Sequence, residues 1–87
     1  MKFEWDNEKS ASNKLKHGID FEDARKLWDD HLRIEIQAPF PDEERFILIG
    51  KIRSKIWTAI YTIRGESIRI ISVRRARKKE ASLYVQK

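Results

Sequence analysis

Apolar positions along the chain pass from helical spacing to alternation after residue 31, and the change separates a mostly helical first third from a strand-rich stretch that a last helix closes. Lys2 to Trp5 forms a short strand candidate, after which Asp6 can N-cap a helix with Glu8 in its first turn. Ala11 and Leu15 give that helix a thin apolar stripe, and the helix is predicted to stop at His17-Gly18-Ile19. Gly18 suits the left-handed position after a helix, His17 lies beside the terminal carbonyls, and Ile19 can make the accompanying apolar contact. Asp20 is a second N-cap, with Asp23 three residues on as a variant capping box. Phe21, Ala24, Leu27 and Trp28 then recur at helical spacing, so this second helix lays one face on a sheet.

After Asp29-Asp30-His31 the period becomes two, with Leu32, Ile34 and Ile36 alternating against Arg33, Glu35 and Gln37. Pro39 and Pro41 end that strand and an acidic turn follows. Phe46 to Ile49, closed by Gly50, reads as a central strand; Ile56 to Ile63 and Ser67 to Arg75 follow it as a meander, joined by the short loop Arg64-Gly65-Glu66. A last helix over Ala76 to Tyr84 places Ala76, Glu80, Leu83 and Tyr84 near one face. The order predicts an α+β fold, one domain over residues 1–87.

Composition narrows the function. Without cysteine there is no disulfide framework, thiolate nucleophile or Cys-ligated zinc, and two histidines without HxxxH spacing make no metal site. No stretch approaches the roughly 18 apolar residues of a spanning helix and the start lacks an apolar signal core, so a cytoplasmic protein is expected, with no membrane partner. Residues 1–63 hold 11 Lys/Arg against 12 Asp/Glu, a net −1, whereas residues 64–87 hold 8 against 2, a net +6. That asymmetry points to a polyanion, and an acidic protein would satisfy it as well.

The positive charge is densest at Ile68 to Lys79, IRIISVRRARKK. Strict alternation puts Ile68, Ile70, Ser72 and Arg74 on one face of the strand and Arg69, Ile71, Val73 and Arg75 on the other. Arg69, between two isoleucines, needs a carboxylate, a phosphate or carbonyls around its guanidinium, so an internal ion pair competes with phosphate binding. Arg74 and Arg75 stand at the strand's end, where paired donors suit phosphate. Arg77, Lys78 and Lys79 read equally as a basic solvated helix, or as a localisation segment. His17 is either a capping residue or a proton-transfer group. With Arg45, Arg64, Tyr61 and Glu80, these residues comprise what metal-free RNA cleavage requires: a base for the 2′-hydroxyl, charge to neutralise the phosphorane, and an acid for the leaving oxygen.

Three strings, FEWDNEKSASNKLKHGIDFEDA, ERFILIG and YTIRGESIRIISVRRARKKE, resemble in order and spacing the BrnT family of type II toxin–antitoxin systems, over roughly positions 3–80. Lys16, His17 and Gly18 match its KHG motif, Arg45 its ERF, Arg64 its TxR, Arg69 its IRII, Arg74 and Arg75 its SxRRA, and Glu80 follows the basic run. The resemblance implies a RelE-like fold, with N-terminal and C-terminal helices packed on an antiparallel sheet. It also implies a ribonuclease toxin, which the residues above lead us to expect to work without cofactor or metal, neutralised by a BrnA-like ribbon-helix-helix antitoxin in a 2:2 heterotetramer that represses its own operon, the operator DNA being contacted through the antitoxin. Arg69, Arg74 and Arg75 are then first choices for the scissile phosphate, with Arg64 beside them and His17 and Glu80 for proton transfer. Lys16, Arg45, Tyr61, Arg77, Lys78 and Lys79 are expected to bind the RNA chain. The alternatives are a module that binds nucleic acid without cutting it, and a structural subunit whose basic face meets an acidic partner.

Overall fold

A computed structural model describes residues 1–86, so Lys87, the end of the expected domain, lies outside the described residues. Strand β1 is Lys2–Glu4, and Asp6 then accepts hydrogen bonds from the backbone N–H groups of Glu8 (2.8 Å) and Lys9 (3.2 Å) to open helix α1 at Asn7–His17. The helix ends as predicted, with Gly18 at φ 82° and its N–H on the carbonyl of Lys14. The expected apolar stripe is not its inner face: Leu15 is 89% exposed, and the buried residues of α1 are Ser10 and Asn13. This helix docks by hydrogen bonds instead of by apolar area.

Asp20 caps the next turn through the N–H of Asp23 (2.8 Å), giving helix α2 at Phe21–Ala24, which tightens into a 3₁₀ segment at Arg25–Asp29. Phe21, Ala24, Leu27 and Trp28 are all buried, as their spacing predicted. Leu27 lies against Gly50, where an added Cβ would come within 3.2 Å of its Cδ2. Absence of a side chain at position 50 lets the 3₁₀ segment sit down on the sheet.

The sheet comprises β1, β2 (Ile34–Ala38), β3 (Arg45–Ile52), β4 (Lys55–Arg64) and β5 (Ser67–Arg75), in the order β1-β5-β4-β3-β2. Strands β2 to β5 form an antiparallel meander, but β1 pairs parallel with β5, so the sheet is mixed and not antiparallel throughout as expected. The two helices between β1 and β2 carry the chain from one edge to the other, which lets β1 enter beside β5 in the same direction. Leu32 falls outside β2, because its N–H is taken by the Asp30 carboxylate (2.9 Å) in the preceding turn, and it is 59% exposed.

A bulge in β5 corrects the predicted faces of that strand. Ile60 pairs with Ser72 while the next residue, Tyr61, pairs with Ile70, leaving Ile71 as the extra residue. Ile70 and Val73 can therefore both enter the core, 2% and 0% exposed, although they are three positions apart. Arg75 then follows Val73 onto the helix-covered face. Arg74 takes the opposite face, which is the reverse of what strict alternation from Ile70 assigns.

The helix-covered face carries the core of Phe21, Leu27, Trp28, Leu48, Trp57, Ala59, Tyr61, Ile70 and Val73. Helix α3, Lys78–Val85, packs on the other face, where Glu80 reaches Thr58 and Arg74. It starts two residues later than predicted because the N–H of Ala76 is still bonded to the sheet, on the carbonyl of Ile56 (3.0 Å). Glu80 and Tyr84 turn inward, but Leu83, expected beside them, is 46% exposed. No helix among the described residues is long and apolar enough to cross a membrane.

Asn13 fastens α1 to the bulged strand. Its Nδ2 donates to the carbonyls of Ile19 and Val73, both at 2.8 Å, and its Oδ1 accepts from the Val73 N–H at 3.2 Å. Replacement by alanine leaves three buried backbone groups unpaired, so Asn13→Ala is expected to lower unfolding stability by about 3 kcal/mol in urea titrations. A change within about 0.5 kcal/mol, the level of an ordinary surface substitution, would deny Asn13 this role.

Candidate active site

The C-terminus of α1, the β3–β4 hairpin and the exit of β5 meet around a cleft of about 300 Å³. His17 and Lys14 line it from α1, Lys26 from the 3₁₀ segment, Arg53 and Lys55 from the hairpin, and Arg75 from β5. Trp57, the cross-strand partner of Arg75, forms part of the wall, with the Arg75 guanidinium 5.6 Å from its ring centroid. Among these residues the lone carboxylate is Asp23, which stands 3.9 Å from Lys26 in an exposed pair. Among the described residues Lys14, Arg53, Lys55 and Arg75 make no ion pair. The cleft thus combines an imidazole, a planar guanidinium fork and uncompensated positive charge, a set suited to holding a phosphodiester and moving a proton beside it.

Arg45, Arg64, Arg69 and Arg74, also singled out in the sequence, lie on the opposite sheet face, and each has a carboxylate. Arg69 meets Glu4 at 2.8 Å, so the ion-pair reading of that residue is the one the structure shows. Arg45 pairs with Glu43 at 3.1 Å and lies 3.8 Å over the Phe40 ring, while Arg64 is 4.0 Å from the same Glu43. Arg74 grips Glu80 with both terminal nitrogens, at 2.7 and 2.9 Å. Glu80 also accepts from the Thr58 hydroxyl (2.9 Å) and the Arg77 N–H (2.8 Å). The Arg74 hydrogen bonds, reinforced by those two donors against the cost of burial, pull the Glu80 carboxyl down from 4.5 to about 2.

The remaining predicted residues spread over the surface and core. Lys16 is exposed on α1, outside the cleft lining, and Lys78 and Lys79 are exposed at the start of α3 beside Arg77. Tyr61 is 4% exposed, with Phe46 stacked at 5.3 Å and Trp28 edge-on at 5.3 Å, which leaves neither ring face open for a base. Its hydroxyl donates to Glu35, and burial together with that carboxylate raises its pKa. The structure therefore brings His17 and Arg75 together and separates both from Arg64, Arg69, Arg74 and Glu80. Lys14, Lys26, Arg53, Lys55 and Trp57 were missed; Lys14 alone carried a signal, standing one turn before His17 on the same helix face.

A family model described as the ribonuclease toxin BrnT of type II toxin–antitoxin systems matches residues 5–80. The chain belongs to the BrnT family. Curated proteins provide no match to it. The matched span reaches from the residue after β1 through the start of α3, so every element lining the cleft falls inside the BrnT family region, and so does the Arg74–Glu80 clamp. As a family of ribonuclease toxins, BrnT proteins act on RNA and are paired with an antitoxin. A cleft rich in cations with a histidine at its edge accords with that chemistry.

The Glu80 clamp generates a pH prediction. Its folded-state pKa is depressed, so its contribution is complete above 4.5 and is lost as the pH falls toward 2. Wild-type stability should decline through that window, and Glu80→Gln should flatten the decline while costing about 2 kcal/mol at pH 7. Urea titrations at pH 7 and pH 3 check both; parallel declines in the two proteins would contradict the clamp.

Proposed function

We propose that the chain, as one domain over 1–87 of the RelE-like superfamily, is a metal-independent endoribonuclease that cuts RNA in the cleft between His17 and Arg75. The observation that carries this reading is the meeting of these two side chains, from distant parts of the sequence, in a cleft with five Lys/Arg and one carboxylate. In the reaction the 2′-oxygen bonds to phosphorus as its proton leaves, the phosphorus–O5′ bond breaks, and O5′ takes up a proton. Products are a 2′,3′-cyclic phosphate and a 5′-hydroxyl. The Arg75 fork neutralises the non-bridging oxygens as charge builds on them, Lys14 and Lys55 add to the field, and His17 exchanges protons with the reacting oxygens.

Glu80 is poorly placed for the proton transfer expected of it, being an ionised carboxylate with four donors on the far side of the sheet. Together with Arg74 it acts as a clamp on α3. Metal-free chemistry is supported by the side chains at the cleft, since one imidazole and one carboxylate are a thin ligand set for a divalent ion. RNA cleavage would inhibit translation and growth in the cytoplasm. A BrnA-like ribbon-helix-helix antitoxin would neutralise it in a 2:2 complex that represses the operon, consistent with a toxin whose basic cleft must be covered.

Cleavage of an oligoribonucleotide in EDTA tests the site. His17→Ala and Arg75→Gln should each slow it by about 100-fold or more with the fold retained, whereas Arg74→Gln should lose activity only as far as it loses folded protein. Cleavage that requires added divalent metal, or that survives Arg75→Gln, would contradict the proposal. RNA bound but uncut by the wild type would favour the binding-module reading.

A further inference from the structure

The catalytic cleft does not end at Lys26 and Arg53. A second, more open depression of about 410 Å³ begins there, sharing Lys26, Ile52 and Arg53 with the first and adding Lys51 and Tyr84. Its two carboxylates differ in character. Asp29 is exposed, and Asp30 is already engaged by the Tyr84 hydroxyl (2.6 Å), the Lys51 N–H (2.8 Å) and the Leu32 N–H (2.9 Å). Those three donors take up most of the acceptor capacity of Asp30 and hold the floor of the depression in place.

Arg53 stands where the two depressions join, at the first position of the two-residue turn between Ile52 and Lys55. Its φ is 57°, the only positive value at a non-glycine residue among the described residues. A left-handed first position in such a turn favours glycine, since a Cβ there crowds the backbone. The fold keeps a long cationic side chain at this strained position, between the cleft and its continuation. Strain of this kind gathers where a side chain's placement serves binding.

We infer that Lys26, Arg53 and Lys51 form a phosphate track that seats the backbone of single-stranded RNA flanking the scissile bond. This rests on placing the reaction in the cleft, and it routes the RNA across the β3–β4 hairpin instead of along Lys78 and Lys79. Lys26, Arg53 and Lys51 would meet successive phosphates as point charges and one fork, with no base-specific contact, so the track lengthens the footprint without fixing a sequence.

Binding of non-cleavable 2′-O-methyl oligonucleotides of two and six nucleotides, followed by fluorescence anisotropy over a salt series, tests the track. For the six-mer, Lys51→Gln with Arg53→Gln should reduce the slope of log K against log salt by about 1.4 and remove most of the affinity gained over the dimer. Lys78→Gln with Lys79→Gln should leave slope and gain intact. Arg53→Asn provides a second readout, since it relieves the left-handed strain: Tm should rise by about 4 °C while six-mer affinity falls. An unchanged slope in the Lys51/Arg53 variant, or an equal loss from Lys78/Lys79, overturns the track. A wild type that binds neither oligomer but binds an acidic peptide also overturns it, assigning the surface to a protein partner. Failure of the cleft reading shows separately, as full cleavage by Arg75→Gln while the length-dependent gain still depends on Lys51 and Arg53.

Discussion

The side chain of Asn13 is the constraint on which the arrangement of this molecule depends. Helix α1 has almost no apolar face to offer the sheet, yet its last turn must hold His17 beside Arg75. A buried amide that bonds both backbone groups of Val73 and the carbonyl of Ile19 fixes the helix along its length, its rotation, and the turn into α2. Val73 lies beyond the part of β5 paired with β1, so Asn13 occupies the place a neighbouring strand would have taken. His17 follows one turn after Asn13, and Arg75 two residues after Val73. Position and chemistry are thereby coupled through one side chain.

The bulge at Ile71 sets the second half of that geometry. Because it changes the parity of β5, two adjacent arginines are sent to opposite faces with opposite duties. Arg74 meets Glu80 in a four-donor network that holds down a terminal helix with no fully buried residue, helped by Tyr84 on Asp30 one turn later. Burial of the phenol, with the Asp30 carboxylate adding to it, pushes the Tyr84 hydroxyl up to about 12, so that anchor stays protonated at any ordinary pH. Arg75 keeps its fork unpaired against Trp57. The sheet thus separates Arg74, compensated by Glu80 and contributing to structure, from Arg75, which makes no ion pair among the described residues and leaves a field for an anion.

Much of this was legible in the sequence and some was not, for physical reasons. Asp6, Gly18 and Asp20 announced their helix ends because caps are local chemistry, and the apolar spacing of Phe21, Ala24, Leu27 and Trp28 located the buried face. The bulge was invisible because isoleucine or valine stands on both faces of the run from Ile68 to Val73, with one polar residue on each, Arg69 and Ser72, so strict alternation fits either parity. Asn13 was passed over because a helix is normally read by its apolar stripe, and Leu15 looked like one. The parallel pairing of β1 follows from where two helices deliver the chain, which no local signal encodes. His17 and Arg75 stood out in the sequence as candidates, but their meeting in one cleft, apart from Arg69, Arg74 and Glu80, was not legible, since it depends on the parity change. The other cations of the cleft come from three separate segments that only the fold assembles.

The account therefore turns on which face of the sheet meets RNA. The most direct measurement is a ¹H–¹⁵N titration of the protein with an oligoribonucleotide carrying a single 2′-deoxy sugar at the scissile position, following backbone amides, histidine rings and arginine Nε–H groups together. The account predicts that the largest shifts fall on the His17 ring, the Arg75 side chain and the Arg53–Lys55 hairpin, while the Arg69 and Arg74 signals hold still. Shifts concentrated on Arg45, Arg69 and Arg74, with His17 and Arg75 unmoved, would place the RNA on the opposite face and contradict it.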